Sequence, residues 1–329
     1  MKTKLTLSLV FLIQLNIYSQ FGAQQIITTD IDAPRSVYAI DIDGDGDVDI
    51  LSGSASDGKV AWYENTDGQG SFGPQRIITT NTIFTEFVYS SDIDGDGDMD
   101  VLSASKADNK IAWYENIDGL GNFGTQQIIT SNANSARGVH SADLDGDGDL
   151  DVLSASALDD TIAWYENTDG QGNFGAQQII STDADEAISV YPSDIDNDGD
   201  IDVLSASTRD DKIAWYENTD GLGNFSSQKI ITTNADGAKY VFAVDIDGDG
   251  DSDVLSASAF DNKIAWYENT DGQGNFSSQQ IISTTTEFAK FVYSADLDND
   301  GDKDVLAAAF GENKVTWFEN TDGLGNFGT

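Results

Sequence analysis

The chain has 329 residues, a net charge of −42, one histidine, three prolines and no cysteine. Such acidity repels nucleic acid and anionic lipid, which need Lys- and Arg-rich faces, and the lack of cysteine rules out a disulfide framework. With 39% hydrophobic residues and regularly spaced aromatics, the chain can still bury a core, unlike a disordered acidic polymer.

The first stretch, "MKTKLTLSLVFLIQLNIYSQ", sets two lysines before an apolar run that ends near Ser19. This is the pattern of a secretory signal peptide over residues 1–19, leaving 20–329 as one secreted or cell-surface domain. The run is short and is interrupted by Gln14 and Asn16, which argues against a membrane anchor. No other stretch reads as a membrane span. A secreted protein without disulfides must be held together in another way.

Next comes "FGAQQIITT" from Phe21, and then "DIDGDGDVD" from Asp41. That acidic phrase returns five times, starting at Asp92, Asp143, Asp194, Asp245 and Asp296, always 51 residues on. The tryptophans Trp62, Trp113, Trp164, Trp215, Trp266 and Trp317 keep the same step. A gapless period of this size marks a repeat architecture.

One unit, Phe87 to Asn132, holds four segments rich in Val, Ile, Tyr and Trp: "FVYSSD", "DVLSAS", "KIAWYEN" and "QQIIT". Acidic-glycine, Asp-Asn and Asp-Gly turns separate them, which predicts one small antiparallel sheet of four strands. In "KIAWYEN", Ile111 and Trp113 point one way while Ala112 and Tyr114 point the other, so both faces need a neighbour. Radial stacking supplies one on each side. The fold class is therefore all-β, a propeller of six four-stranded blades, with a linear β-solenoid as the rival. Phe21 and Phe327 stand six periods apart, so the N-terminal strand is expected to complete the sixth blade and leave no open edge.

The acidic phrase explains its own charge. Oxygen ligands at positions 1, 3 and 5, a glycine at 6, a backbone carbonyl at 7 and a carboxylate at 9 match the first part of an EF-hand loop. In the first unit these are Asp41, Asp43, Asp45, Gly46, the carbonyl of Asp47, and Asp49. The same positions fall on Asp92, Asp94, Asp96, Asp98 and Asp100, and on Asp143, Asp145, Asp147, Asp149 and Asp151. They continue through Asp194, Asp196, Asp198, Asp200 and Asp202, and then Asp245, Asp247, Asp249, Asp251 and Asp253. The last set is Asp296, Asp298, Asp300, Asp302 and Asp304. Position 12 is Ser52 rather than Glu, and the loop joins two strands instead of two helices. A hard cation replaces carboxylate repulsion with coordination, and Ca²⁺ suits this set better than Mg²⁺, which retains its waters. Up to six Ca²⁺ are expected, one per blade.

These loops, the "NFG" before most fourth strands and the "LSAS" strand resemble the FG-GAP/VCBS repeats of bacterial secreted proteins and of integrin α-chain propellers. The resemblance covers residues 21–329. It implies Ca²⁺ in the loop between first and second strands, at the matching aspartates, and an extracellular role in adhesion or recognition. Integrin propellers have seven blades where six are visible here, and no partner domain is present, so integrin-type signalling does not carry over.

His140 occupies the slot held by Tyr38, Tyr89, Tyr191, Phe242 and Tyr293, which makes it a packing aromatic. The tryptophans, at identical strand positions, are expected to fill the space between blades. No Ser/His/Asp set recurs, so the chain reads as non-catalytic. The units differ where the chain enters each first strand and where it turns from second to third strand. Those two connections are expected at the same end, opposite the metal loops. Phe84, Arg137, Arg209, Phe260, Phe288 and Phe310 are the ligand candidates there, with neutral drift at exposed loops as the competing reading. The expected function is a monomeric adhesion or recognition module for an extracellular protein or glycan. A lectin and a polysaccharide-degrading enzyme on the same scaffold are the alternatives.

Overall fold

The computed structural model describes residues 24–328. The signal segment, residues 1–19, lies outside the described residues. Each unit folds into antiparallel strands taken in sequence order, as in the second blade: Thr85–Ser91, Asp100–Ser105, Lys110–Tyr114 and Gln127–Thr130. Six such sheets form the six blades of an all-β propeller. Register runs straight across a blade, pairing Tyr89 with Leu102, Leu102 with Trp113 and Trp113 with Gln127. Among the described residues no helix is long and apolar enough to cross a membrane.

Strand chemistry follows position in the blade. The second strand is the central one, and in "DVLSAS" all six residues are buried. Its alanines and serines are small enough for blades to approach face to face. The third strand presents two apolar faces, as its alternation requires. Ile111 and Trp113 join Ala133, Val139, Val152 and Tyr165 on the side of the third blade. Ala112 and Tyr114 join Leu51, Val60 and Trp62 on the side of the first. The fourth strand is the outer edge, and one face of it, Ile128 for example, meets solvent.

Five seams between consecutive blades repeat one interlock. The ring of Trp62 lies where a side chain on Gly121 of the next blade would stand, and the Trp113–Gly172 and Trp164–Gly223 pairs repeat this. That glycine has a positive φ, 73° at Gly121, so no other residue meets both demands. Burying one such indole contributes about 4–6 kcal/mol as an upper estimate. The Asn116 side chain donates to the Ile42 carbonyl of the preceding blade at 2.9 Å, and Asn167 does the same to Ile93 at 2.8 Å.

The sixth seam is different. Val88, Val139, Val190, Val241 and Val292 are buried at 0–1% exposure, but their counterpart Val37 in the first blade is 65% exposed. Gly70, the counterpart of Gly121, has nothing within 4 Å of its would-be side chain. The sixth blade has three strands, Ala289–Ala295, Asp304–Ala309 and Lys314–Phe318, and Val315 on its outer strand is 73% exposed. The strand expected to close the ring is not formed by residues 24–29, and residues 20–23 of it lie outside the described residues. The physical difference is connectivity. Every other fourth strand follows its third through an Asp-Gly turn pinned by a bridge such as Asn116–Phe123. Its own ladder has only three pairs and a bulge, so a segment without that turn begins from a weak template.

The first strands line the axis, and their aromatics form a continuous row. Ring centroids are 4.9 Å apart from Tyr38 to Tyr89, 4.5 Å on to His140, 5.2 Å to Tyr191, 4.9 Å to Phe242 and 5.0 Å to Tyr293. His140 thus packs as the aromatic its repeat slot implied. Burial pushes its pKa down to about 3, so it is neutral.

Candidate functional site

Each acidic loop starts where a first strand ends. Asp41 shapes the first one, accepting the Gly44 N–H at 2.9 Å through Oδ1 and the Gly46 N–H at 3.0 Å through Oδ2. Gly46 has φ 92°, and its counterparts reach 100°, a region closed to side chains. Position 4 is a milder left-handed site, and there the fourth and sixth loops carry Asn197 and Asn299 instead of glycine.

The turn brings alternate carboxylates together. Oxygens of Asp41, Asp43 and Asp45 lie within 4.8 Å of one another, as do those of Asp92, Asp94 and Asp96, Asp143, Asp145 and Asp147, and Asp245, Asp247 and Asp249. In the fourth loop the set is Asp194, Asp196 and Asp202. Two unit charges at that separation repel by about 1–3 kcal/mol, depending on how much water screens them. The third-position pKa values respond: burial, then neighbouring carboxylates, raise Asp43, Asp94, Asp145, Asp196, Asp247 and Asp298 above the usual range. Several oxygens in the clusters are buried without a hydrogen-bond partner: Asp43 Oδ1, Asp92 Oδ1, Asp194 Oδ1, Asp196 Oδ1 and Asp296 Oδ1. Orphaned, all-oxygen and anionic, these groups fit a metal ion.

The side chains at positions 7 and 9 also bond within the loop and beyond it, and in the fourth loop Asp202 at position 9 is a member of the cluster as well. The carboxylates of Asp47, Asp98, Asp149, Asp200, Asp251 and Asp302 lie against the turn glycines Gly68, Gly119, Gly170, Gly221, Gly272 and Gly323. Asp49 is buried, and its two oxygens accept the Ile42 N–H at 3.0 Å and the Asn65 N–H at 2.7 Å. Asp100, Asp151, Asp202, Asp253 and Asp304 repeat this pair of bonds. Position 9 therefore ties the loop to the end of the third strand. Burial pushes Asp100, Asp151, Asp202 and Asp253 up to about 7 despite those bonds. The sequence reading missed the asparagine partner. Its signal is the Asn after every "YE" or "FE", always 16 residues beyond the last aspartate of the loop.

The opposite face is built as expected from the other two connections. The second-to-third strand turn bonds to the entry segment beside it, as in Lys106 N to Phe84 O at 2.9 Å and Phe310 N to Phe288 O at 3.2 Å. The residue before each first strand is left-handed in all six units: Ala33, Phe84, Ser135, Glu186, Gly237 and Phe288. Only one of these is glycine, and two are bulky phenylalanines, an uncommon choice that costs of order 1–3 kcal/mol. Phe260, Phe288 and Phe310 form one aromatic patch, with centroids 6.0 and 5.8 Å apart. Phe84 stands apart from them, flanked by Arg35 at 4.9 Å and Lys106 at 5.0 Å. Arg209 is on the rim and pairs with Glu186 at 3.1 Å, while Arg137 points to the axis and pairs with Glu86 at 3.1 Å.

The fold recurs in solved structures at low identity. A functionally unknown protein from Desulfotomaculum acetoxidans matches with a TM-score of 0.62 and 12% identity, over 92% of this chain and 86% of that one. A proposed 6-phosphogluconolactonase from Bacteroides fragilis matches with a TM-score of 0.63 and 13% identity, over 90% and 82%. The V. cholerae biofilm matrix protein Bap1 matches at 18% identity and a TM-score of 0.47, and this chain spans only 41% of its length. No curated protein matches the chain. The FG-GAP-like repeat family matches residues 41–103, 92–154, 143–205, 194–256 and 245–307 in overlapping pairs of units. With both the acidic loops and the blades accounted for by these matches, the chain belongs to the FG-GAP-like repeat family.

Proposed function

We propose that this protein is a secreted, calcium-stabilised propeller that acts as an extracellular recognition or adhesion module. The observation that carries the reading is the division of labour between its two faces. One face repeats the same carboxylate loop six times with buried oxygens left over. The other differs from blade to blade and exposes large apolar rings, with Phe260 at 57% and Phe310 at 63%. Calcium suits the loops because it takes six to eight oxygens in flexible geometry, whereas Mg²⁺ keeps its waters. When bound, it would supply positive charge that locks the loops, and the aspartates at positions 1, 3 and 5, joined at position 9 by a residue such as Asp202 in the fourth loop, would hold it. Recognition then belongs to the rigidly presented varied loops. The N-terminal pattern over residues 1–19 supports export, and the oxidising exterior demands nothing of a chain without cysteine.

The test uses calcium-loaded protein on host and bacterial surface extracts, with wild type beside Phe84→Ala and the double variant Phe260→Ala/Phe310→Ala. Retention should fall in the variants while their melting curves stay with the wild type. A glycan array separates lectin from protein adhesin, and release of reducing sugar from polysaccharide would identify the catalytic alternative. Normal retention of both variants, with or without calcium, would overturn the assignment.

A further inference from the structure

The entry face holds a feature that the acidity of the chain makes conspicuous. A cavity of about 700 Å³ opens at the axis and extends toward the gap between the first and sixth blades. Five basic side chains line it, Arg35, Arg137, Lys239, Lys290 and Lys314, against two acidic ones, Glu86 and Glu186. The whole chain has only 16 Lys and Arg to set beside 58 Asp and Glu. Arg35, Arg137, Lys239 and Lys290 occupy one repeat slot, the second residue of the first strand, so the fold itself gathers them.

Their charges are poorly compensated. Arg137 takes up Glu86, yet its Nε is buried with no hydrogen-bond partner. Glu186 is taken up by Arg209 at 3.1 Å, from outside the cavity lining. Among the described residues no carboxylate lies within ion-pair distance of Arg35, Lys239 or Lys290. Lys239 donates to Thr208 Oγ1 at 3.2 Å and stands 5.3 Å from the Phe260 ring, and Lys290 stands 5.5 Å from Phe310. Burial holds both lysines below the usual lysine range; the charges of Glu186 near Lys239 and Glu86 near Lys290 offset part of this, and Arg137 pushes both further down. Desolvating cations next to one another is costly, and a bound anion removes that cost.

Below the basic rim the walls are aromatic. Phe87 and Tyr240, from blades on opposite sides of the axis, stack across the channel at 6.3 Å, and Phe291 lies 4.0 Å from Tyr240. The result is a cup with a positive mouth and a ring-lined floor, within the roughly 300–1,000 Å³ typical of small-ligand sites. The chain's net charge of −42 does not forbid an anion here. Charges on the loop face are screened beyond about 8 Å at physiological ionic strength.

We propose that this cup binds an acidic saccharide, with its carboxylate or sulfate at Lys239, Lys290 and Arg35 and its sugar ring on the aromatic floor. The proposal rests on the recognition reading and deepens it by naming the ligand chemistry and placing it at the axis, inside the rim of phenylalanines.

The experiment is calorimetric titration of the calcium-loaded full chain with trigalacturonate, a sulfated disaccharide, neutral maltotriose, hexaglutamate and inorganic phosphate. At least one acidic saccharide should bind, more weakly as salt rises, while maltotriose should not. Lys239→Gln/Lys290→Gln should weaken that binding about tenfold or more, and Lys239→Arg/Lys290→Arg should restore most of it. Melting curves show that each variant is folded. Failure of every acidic saccharide to bind, or equal binding by the Gln variant, overturns the proposal. So does binding of phosphate or hexaglutamate as tight as that of the saccharides, which would mean a general anion site or a peptide site. If the rim phenylalanine variants lose surface retention but trigalacturonate and the sulfated sugar do not bind, the cup fails and the recognition reading stands.

Discussion

The two faces of the disc are made from the same repeat yet obey different constraints. On the loop face every unit offers the same acidic positions, the same glycine at φ 92–100° and the same buried aspartate held by two amides. On the entry face the left-handed residue before each first strand is Ala, Phe, Ser, Glu, Gly or Phe. Backbone geometry is repeated on both faces, but side-chain identity only on the first. A loop whose carboxylates converge on one point cannot vary without losing that point. An entry segment held by backbone bonds, such as Lys106 N to Phe84 O, leaves its side chains free to differ.

Removing metal should separate the faces most strongly. Extracellular sites of this type bind Ca²⁺ at roughly 10⁻⁴ to 10⁻³ M, and at ten times Kd each adds about 1.4 kcal/mol to native stability. Six such sites give about 8 kcal/mol, so chelation should lower the Tm markedly and added Ca²⁺ should restore it. A melting curve unchanged by chelator would sink the metal reading. The pH profile of the metal-free protein sharpens the same point. Burial lifts Asp100, Asp151, Asp202 and Asp253 to about 7, against about 3.9 in the unfolded chain. The folded form therefore binds more protons. Its stability from this source is full below about pH 4 and is lost as pH rises from about 4 to 7. Urea midpoints of metal-free protein should fall over that window, and calcium should flatten the slope.

A smaller effect distinguishes the two kinds of aspartate within one loop. Asp100→Ala leaves the Ile93 and Asn116 amides unpaired in the interior, at a cost of about 3 kcal/mol whether or not calcium is present. Asp94→Ala removes a carboxylate that, in the absence of metal, accepts one long bond from the Asp96 N–H at 3.4 Å and otherwise repels its neighbours. It should lower the Tm in calcium and leave it unchanged or slightly raised in chelator. If the two variants respond alike to chelation, positions 3 and 9 do not have separate roles.

The smallest effect is expected on the entry face. Phe310→Ala removes an exposed ring whose contacts are Phe288 and Lys290, so stability should stay within about 0.5 kcal/mol of wild type. A larger loss in denaturant titration would make the patch part of the core and remove the contrast between the faces.

Much of this was written in the sequence. The 51-residue step, the four strand-like segments, the glycine at position 6 and the two apolar faces of "KIAWYEN" are local patterns, and local backbone geometry follows from them directly. The clustering of positions 1, 3 and 5 was legible for the same reason, since alternation and one sharp turn suffice to bring the residues together. Three things needed the tertiary structure. Position 9 proved to be bonded on both oxygens because its partner, Asn65 in the first unit, arrives from the end of the third strand. The basic cup was invisible because Arg35, Arg137, Lys239 and Lys290 are at least 51 residues apart and meet only when the blades curve around an axis. The exposed Val37 was hidden as well. Its sequence slot is the one that is buried in five other units, and whether a slot is buried depends on the blade that lies next to it, which a repeat period by itself does not specify.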